Sequence, residues 1–68
     1  MRAVMSVYIK KNDVNVVKSA KEDLENVFGL SVSNEGRTVS GLPEDIDEAA
    51  KTYGAIARAV ENGDVKYA

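Results

Sequence analysis

Hydrophobic spacing changes period along this chain, and the order of those changes limits the folds open to it. Apolar and polar residues alternate from Val4 to Lys10. Apolar residues then return every third or fourth position from Asp13 to Phe28, and again from Pro43 to Asn62. A period of two belongs to a strand with one buried face, and a period near 3.6 belongs to a helix with one buried stripe. Between the helical stretches, two short strand-like runs meet at Asn34-Glu35-Gly36. The order reads β-α-β-β-α, with room for a last strand at Asp64 to Ala68.

Parity places Ala3, Met5, Val7 and Ile9 on the face of the first strand that meets the helices, and Val4, Ser6, Tyr8 and Lys10 on the other. Asn12 or Asp13 is expected to supply an N-cap oxygen to the first helix. Its stripe is Val17, Ala20, Leu24, Val27 and Phe28, with Val14 and Val16 at the margins. Gly29 marks the helix end, and Leu30 is placed to fold back on Leu24. Asn34 and Gly36 suit a tight antiparallel hairpin that returns through Arg37 to Leu42.

Pro43 fits the first position of the second helix. Its stripe is Ile46, Ala49, Ala50, Tyr53, Ile56, Ala57 and Val60, and Asn62-Gly63 closes it. Asp47 and Lys51 have the spacing of an exposed i,i+4 pair. Leu24 and Tyr53 are expected to be core anchors, with Phe28 also assigned to the core and Tyr67 joining them if Val65 points inward. Gly54 falls inside the helical pattern, where glycine costs about 0.8 to 1.0 kcal/mol relative to alanine. With Ala50 and Ala57 it forms a small-residue strip that admits close approach of the sheet or of a second subunit.

The expected fold is therefore α+β: a two-layer sandwich, β-α-β-β-α-(β) and ferredoxin-like, with two helices on one face of an antiparallel sheet. The first and third strands are central in that order. Whether residues 64–68 add the fourth strand is left open by so short a segment.

With 68 residues the chain is a single domain, 1–68. A chain this short buries only about 60% of its unfolded surface on folding. Its total stability is expected near 3 to 10 kcal/mol, which leaves no room for a catalytic lobe or a deep cavity. Cysteine and histidine are both absent. That removes disulfides, thiolate nucleophiles, common zinc sites and the usual proton carrier near neutral pH.

Ser40-Gly41 lacks the G-x-S-x-G context of a nucleophile elbow, and the glycines form no phosphate-cradling motif. The acidic run from Pro43 to Glu48 lacks the spacing of an EF-hand and reads as a solvated helix start. No enzyme, cofactor or metal is expected. Met1-Arg2 leads directly into strand-like sequence, and the apolar runs are short, so the expected compartment is the cytoplasm with no membrane association.

Net charge is −2, unevenly spread: Arg2, Lys10, Lys11, Lys18 and Lys21 accompany only Asp13 in residues 1–21, while the next stretch to Ala49 is acidic. Two functions remain. The first is a non-enzymatic protein–protein interaction module, such as a small regulator, inhibitor or assembly subunit. It would use an exposed sheet edge or a helix face, with a second copy of itself as the simplest partner. The second strand is the edge that this topology leaves unpaired. The alternative is a small single-stranded nucleic-acid binder stacking bases on Tyr8 at the open sheet face, helped by Lys10, Lys66 and Arg37. Lys10-Lys11, just ahead of a helix, is also a candidate anion site.

Overall fold

The computed structural model describes residues 3–67. Arg2, counted among the cations, and Ala68, the end of the candidate last strand, lie outside the described residues.

Four strands form, and the last is among them: β1 (Met5–Tyr8), β2 (Ser31–Val32), β3 (Thr38–Gly41) and β4 (Val65–Tyr67). They make one antiparallel sheet in the order β2-β3-β1-β4. Because β3 runs against both β1 and β2, those two strands point the same way and need a crossover between them, which helical residues supply. Strand parity holds: Met5, Val7 and Ile9 of the β1 segment, with Val32 and Val39, are buried, while Tyr8 on the opposite face is 47% exposed. Ala3, ahead of the strand, is exposed rather than inward.

Both helical stretches are broken where one continuous helix is expected. A 3-10 turn (Lys11–Asp13) leads into α1 (Val14–Ser19), and α2 (Lys21–Asn26) follows across Ala20. The Ala20 N–H is shared between the Val16 and Val17 carbonyls, and at φ −94 and ψ 4 Ala20 leaves helical geometry for a single residue. The second break is sharper. α3 (Pro43–Thr52) stops at Tyr53, which is extended at φ −113 and ψ 109, and α4 (Gly54–Glu61) starts afresh. Thr52, Tyr53 and Gly54 are three weak helix formers in succession.

That break resets the phase of the buried stripe. α3 buries Ile46 and Ala49, whereas α4 buries Ala55, Ile56 and Ala59; Ala57 is half-buried and Val60 exposed. Gly54 is thus the first residue of a helix rather than an interior one. It is exposed, and a Cβ there would meet only the Arg58 side chain. The small-residue strip does not bring the sheet backbone close.

The expected helix ends are present. Leu30 N–H returns to the Leu24 carbonyl at 3.1 Å. At the end of α4, Gly63 N–H bonds Val60 O and Asp64 N–H bonds Ala59 O, the paired bonds of a Schellman ending. Gly36, at φ +73, is buried at the hairpin tip; a Cβ on it would lie 2.7 Å from the Val14 carbonyl and 2.6 Å from Lys18 Cγ. The hairpin tip is therefore seated on α1. Lys51 pairs with Glu48 at 3.5 Å instead of Asp47, and both side chains are exposed.

One core joins these elements, with Leu24, Ile46, Ile56, Val7, Val17 and Val39 fully buried. Phe28 and Tyr53 pack at its margin, half-buried and edge to face at 6.2 Å. Val27 and Tyr67 leave it: both are mostly exposed, the first because α2 ends before it and the second because β4 lies at the sheet edge. No helix among the described residues is long and apolar enough to cross a membrane.

Candidate functional site: the open sheet face and its two edges

Register decides which of the candidate side chains meet. Ser6 sits opposite Lys66, and Tyr8 N–H donates to the Asp64 carbonyl at 2.8 Å, so Tyr8 and Lys66 share the open face across neighbouring strands. Ser40 lies on the other side of Ser6, their hydroxyls 3.1 Å apart, and Thr38 lies opposite Tyr8. Arg37 is placed elsewhere. Its carbonyl accepts from Ile9 N–H at 2.7 Å, opposite a residue buried on the helix side, so the ladder puts Arg37 on that side too. Lys10 is exposed just past β1, and Lys11 is exposed in the 3-10 turn. Of the five candidate residues, Tyr8 and Lys66 come together on this face, while Lys11 and Arg37 do not join them.

The turn after Lys10 ends in Asp13, whose carboxylate is turned inward. Asp13 makes no capping bond with its side chain. Instead, Arg58 Nε donates to Asp13 Oδ2 at 2.9 Å and Nη2 donates to Oδ1 at 2.8 Å, a fork that joins the start of α1 to α4. The guanidinium's hydrogen bonds hold the Asp13 carboxyl below the usual aspartate range, against the opposing effect of desolvation, and its charge and that of Lys10 add to the lowering. The same hydrogen bonds push Arg58 up. A second tie lies beside it: the Tyr53 hydroxyl donates to Asp23 Oδ2, and that bond, with burial and the carboxylate's charge, raises the Tyr53 phenol. The two breaks thus face each other across a shallow groove of about 550 Å³, lined by Val16, Ala20, Asp23 and Tyr53.

Neither tie has a spacing signal in the sequence. Asp13 and Arg58 are 45 positions apart, and Asp23 and Tyr53 are 30 apart. Arg58 was hidden among exposed helix positions. The one available hint for Tyr53 was general: a tyrosine on an apolar stripe needs a partner for its hydroxyl.

The two sheet edges differ. Antiparallel ladders alternate, so each edge residue either bonds its neighbour or points its N–H and C=O outward. Ile9 bonds β3 and Tyr8 bonds β4, which fixes the phase: Ser6 and Lys66 bond each other, and Val65 and Tyr67 turn their N–H and C=O groups to the free side of β4. On β2, Ser33 bonds Thr38, so the outward residues are Val32 and Leu30. The Leu30 N–H is already taken by Leu24. The β2 edge, expected to be the unpaired one, is two residues long and has one outward donor taken by α2, whereas β4 presents three residues with both outward N–H groups unused among the described residues. Beside it on the helix side runs a second groove, about 390 Å³, lined by Met5, Ile46, Ala50, Val60 and Tyr67, with Asp47 at its rim.

Among the described residues, no group of three or more His, Cys, Asp or Glu side chains is placed to hold a metal. What this surface offers chemically is hydrogen-bonding backbone, flanking apolar area and a few charges. No family model matches this chain, no curated protein matches it, and no solved structure matches it.

Proposed function

We propose that this chain is a non-enzymatic protein–protein interaction module with a ferredoxin-like β-α-β-β-α-β arrangement, and that it acts by accepting a strand along the free edge of β4. The observation that carries this reading is the ladder phase: Val65 and Tyr67 turn their backbone donors and acceptors away from β1. Main-chain hydrogen bonds of this kind give affinity in strand addition, and pockets for alternate side chains give selectivity. The groove beside Tyr67 supplies such a pocket on the helix side.

The nucleic-acid reading keeps one specific support, the neighbouring positions of Tyr8 and Lys66 on the uncovered face. It is the weaker of the two. A stacking platform uses aromatics on both central strands, and β3 offers Thr38 opposite Tyr8, while Arg37 lies toward the helices.

Two variants separate the readings. Val65→Pro deletes one outward N–H and leaves the β1–β4 bonds in place, a substitution that an edge strand tolerates. The edge reading expects Val65→Pro to abolish capture of a protein partner while Tyr8→Ala preserves it, both variants retaining the wild-type circular dichroism spectrum. Capture that survives Val65→Pro overturns the edge reading. Oligonucleotide binding that falls steeply with salt and disappears in Tyr8→Ala establishes the alternative.

A further inference from the structure

We infer that the strand accepted by this edge is β4 of a second copy, paired antiparallel about a twofold axis at Val65, so that Asp64 of each copy faces Lys66 of the other. The inference rests on the reading of β4 as the working edge, and it adds the partner and the register.

Only residues whose N–H and C=O point outward can bond across the new interface, which leaves three registers for two copies of this strand. Pairing Val65 with Tyr67 sets Lys66 directly against Lys66 on the same face, and like charges in that position repel. Pairing Tyr67 with Tyr67 sets Lys66 against the uncharged Ala68 and moves Asp64 out of reach of Lys66. Pairing Val65 with Val65 sets Asp64 against Lys66 twice, once on each side of the axis. Those contacts fall at the non-hydrogen-bonded positions, where facing side chains come closest. The same register sets Tyr67 against Gly63, whose N–H already bonds Val60 O, so the Val65 pair is its one complete backbone pair and the charges select it.

Among the described residues, neither Asp64 nor Lys66 has an ion-pair partner within its own chain, so both charges are available. The apolar residues agree with the same geometry. Val65 meets Val65 on the helix side, and Tyr67 (59% exposed) and Val60 (36% exposed) border the seam. The product is a continuous eight-stranded sheet whose remaining edges are the two short β2 strands. Twofold pairing is the commonest closed arrangement for identical chains, and joining the β4 strands removes the open edges that would otherwise invite aggregation.

The test is a charge exchange read by sedimentation equilibrium. Wild type is expected to be a concentration-dependent dimer that weakens as salt screens the exposed pairs. Lys66→Asp and Asp64→Lys each turn two attractions into two repulsions and should weaken dimerisation by about tenfold or more. Mixed in equal amounts, they should recover a heterodimer, because one chain then carries acid at both positions and the other carries base at both. If Asp64→Lys disturbs the end of α4, the neutral pair Asp64→Asn and Lys66→Gln should each weaken the dimer and, combined, remove its salt dependence.

A mixture that stays monomeric while wild type dimerises overturns the register. Wild type that stays monomeric to about millimolar concentration overturns self-pairing altogether. In that case, a partner capture still abolished by Val65→Pro retains the edge reading without the second copy, and a capture indifferent to Val65→Pro removes both.

Discussion

Asp13 is the one buried charged residue among the described residues. Its side chain is 13% exposed and is held by two charge-assisted bonds from Arg58. A carboxylate in that position is destabilising if left alone, so Arg58→Ala removes both an attraction and the compensation for burial. The dependence on pH has a definite sign. Because Arg58 lowers the folded-state pKa of Asp13, the unfolded chain binds more protons in the acid window. The contribution is therefore fully present above the ordinary aspartate range, about pH 4, and is lost as pH falls through the depressed folded value. Denaturant melts of wild type and Asp13→Asn should differ most near neutral pH and converge in strong acid. A difference that stays constant down to about pH 2 would mean that the ion pair adds nothing to the folded state. Asn12 or Asp13 is the expected cap of α1, because Asn and Asp at a helix start favour that role; for Asp13, a partner on a remote helix outcompetes the local backbone.

Helix and strand boundaries were legible to different degrees, and the reason is physical. A pleated strand fixes side-chain parity residue by residue, so the inward set Met5, Val7 and Ile9 could be read directly. Ends marked by Pro43 and Gly63 were legible because those residues have few other uses, whereas α2 stops at Asn26, ahead of Gly29. Breaks inside helices were not legible. Ala20 is the best of helix formers, and the Tyr53 break keeps apolar residues on both sides of it, so a single 3.6 period passes through without an obvious fault. Its trace was Gly54, which reads as a penalty inside one helix and as an ordinary start in two. The glycines therefore make a paired test of the elements. Gly54→Ala should stay within about 0.5 kcal/mol of wild type, since Gly54 opens a helix and the added methyl group would come 3.2 Å from Nη1 of Arg58, whose guanidinium is held by Asp13. Gly36→Ala should destabilise by about 1 to 2 kcal/mol or more, because the left-handed backbone is strained for alanine and the Val14 carbonyl cannot swing away. Thermal melts that ranked the two in the opposite order would reinstate a single second helix and unseat the hairpin tip from α1.

Across the whole molecule, the part of the candidate surface that follows from parity was legible and the part that follows from connectivity was not. Tyr8 and Lys66 share a face because parity and pairing say so, but Arg37 changes sides only once its opposite number is known to be Ile9. Likewise, which edge stays open depends on whether β4 forms and on where α2 ends, and neither fact is local. Small size couples these surfaces to the core. With about 3 to 10 kcal/mol in total, the fold has little reserve, and edge strands of two and three residues cannot hold the sheet together by themselves. Leu24, fully buried where α2 meets the core, is the sharpest probe of that dependence. Leu24→Ala should cost about 2 to 5 kcal/mol, a large share of the whole, whereas Tyr53→Phe, which deletes one solvent-exposed hydroxyl bond and keeps the half-buried ring, should cost far less. The Leu24→Ala loss should appear as one cooperative transition with an unchanged denaturant slope, and the amides of β4 should lose exchange protection together with those of β1. Protection that vanished from β4 alone would mean that this edge is held separately from the core, in which case any strand added to it would be completing the fold rather than docking on it.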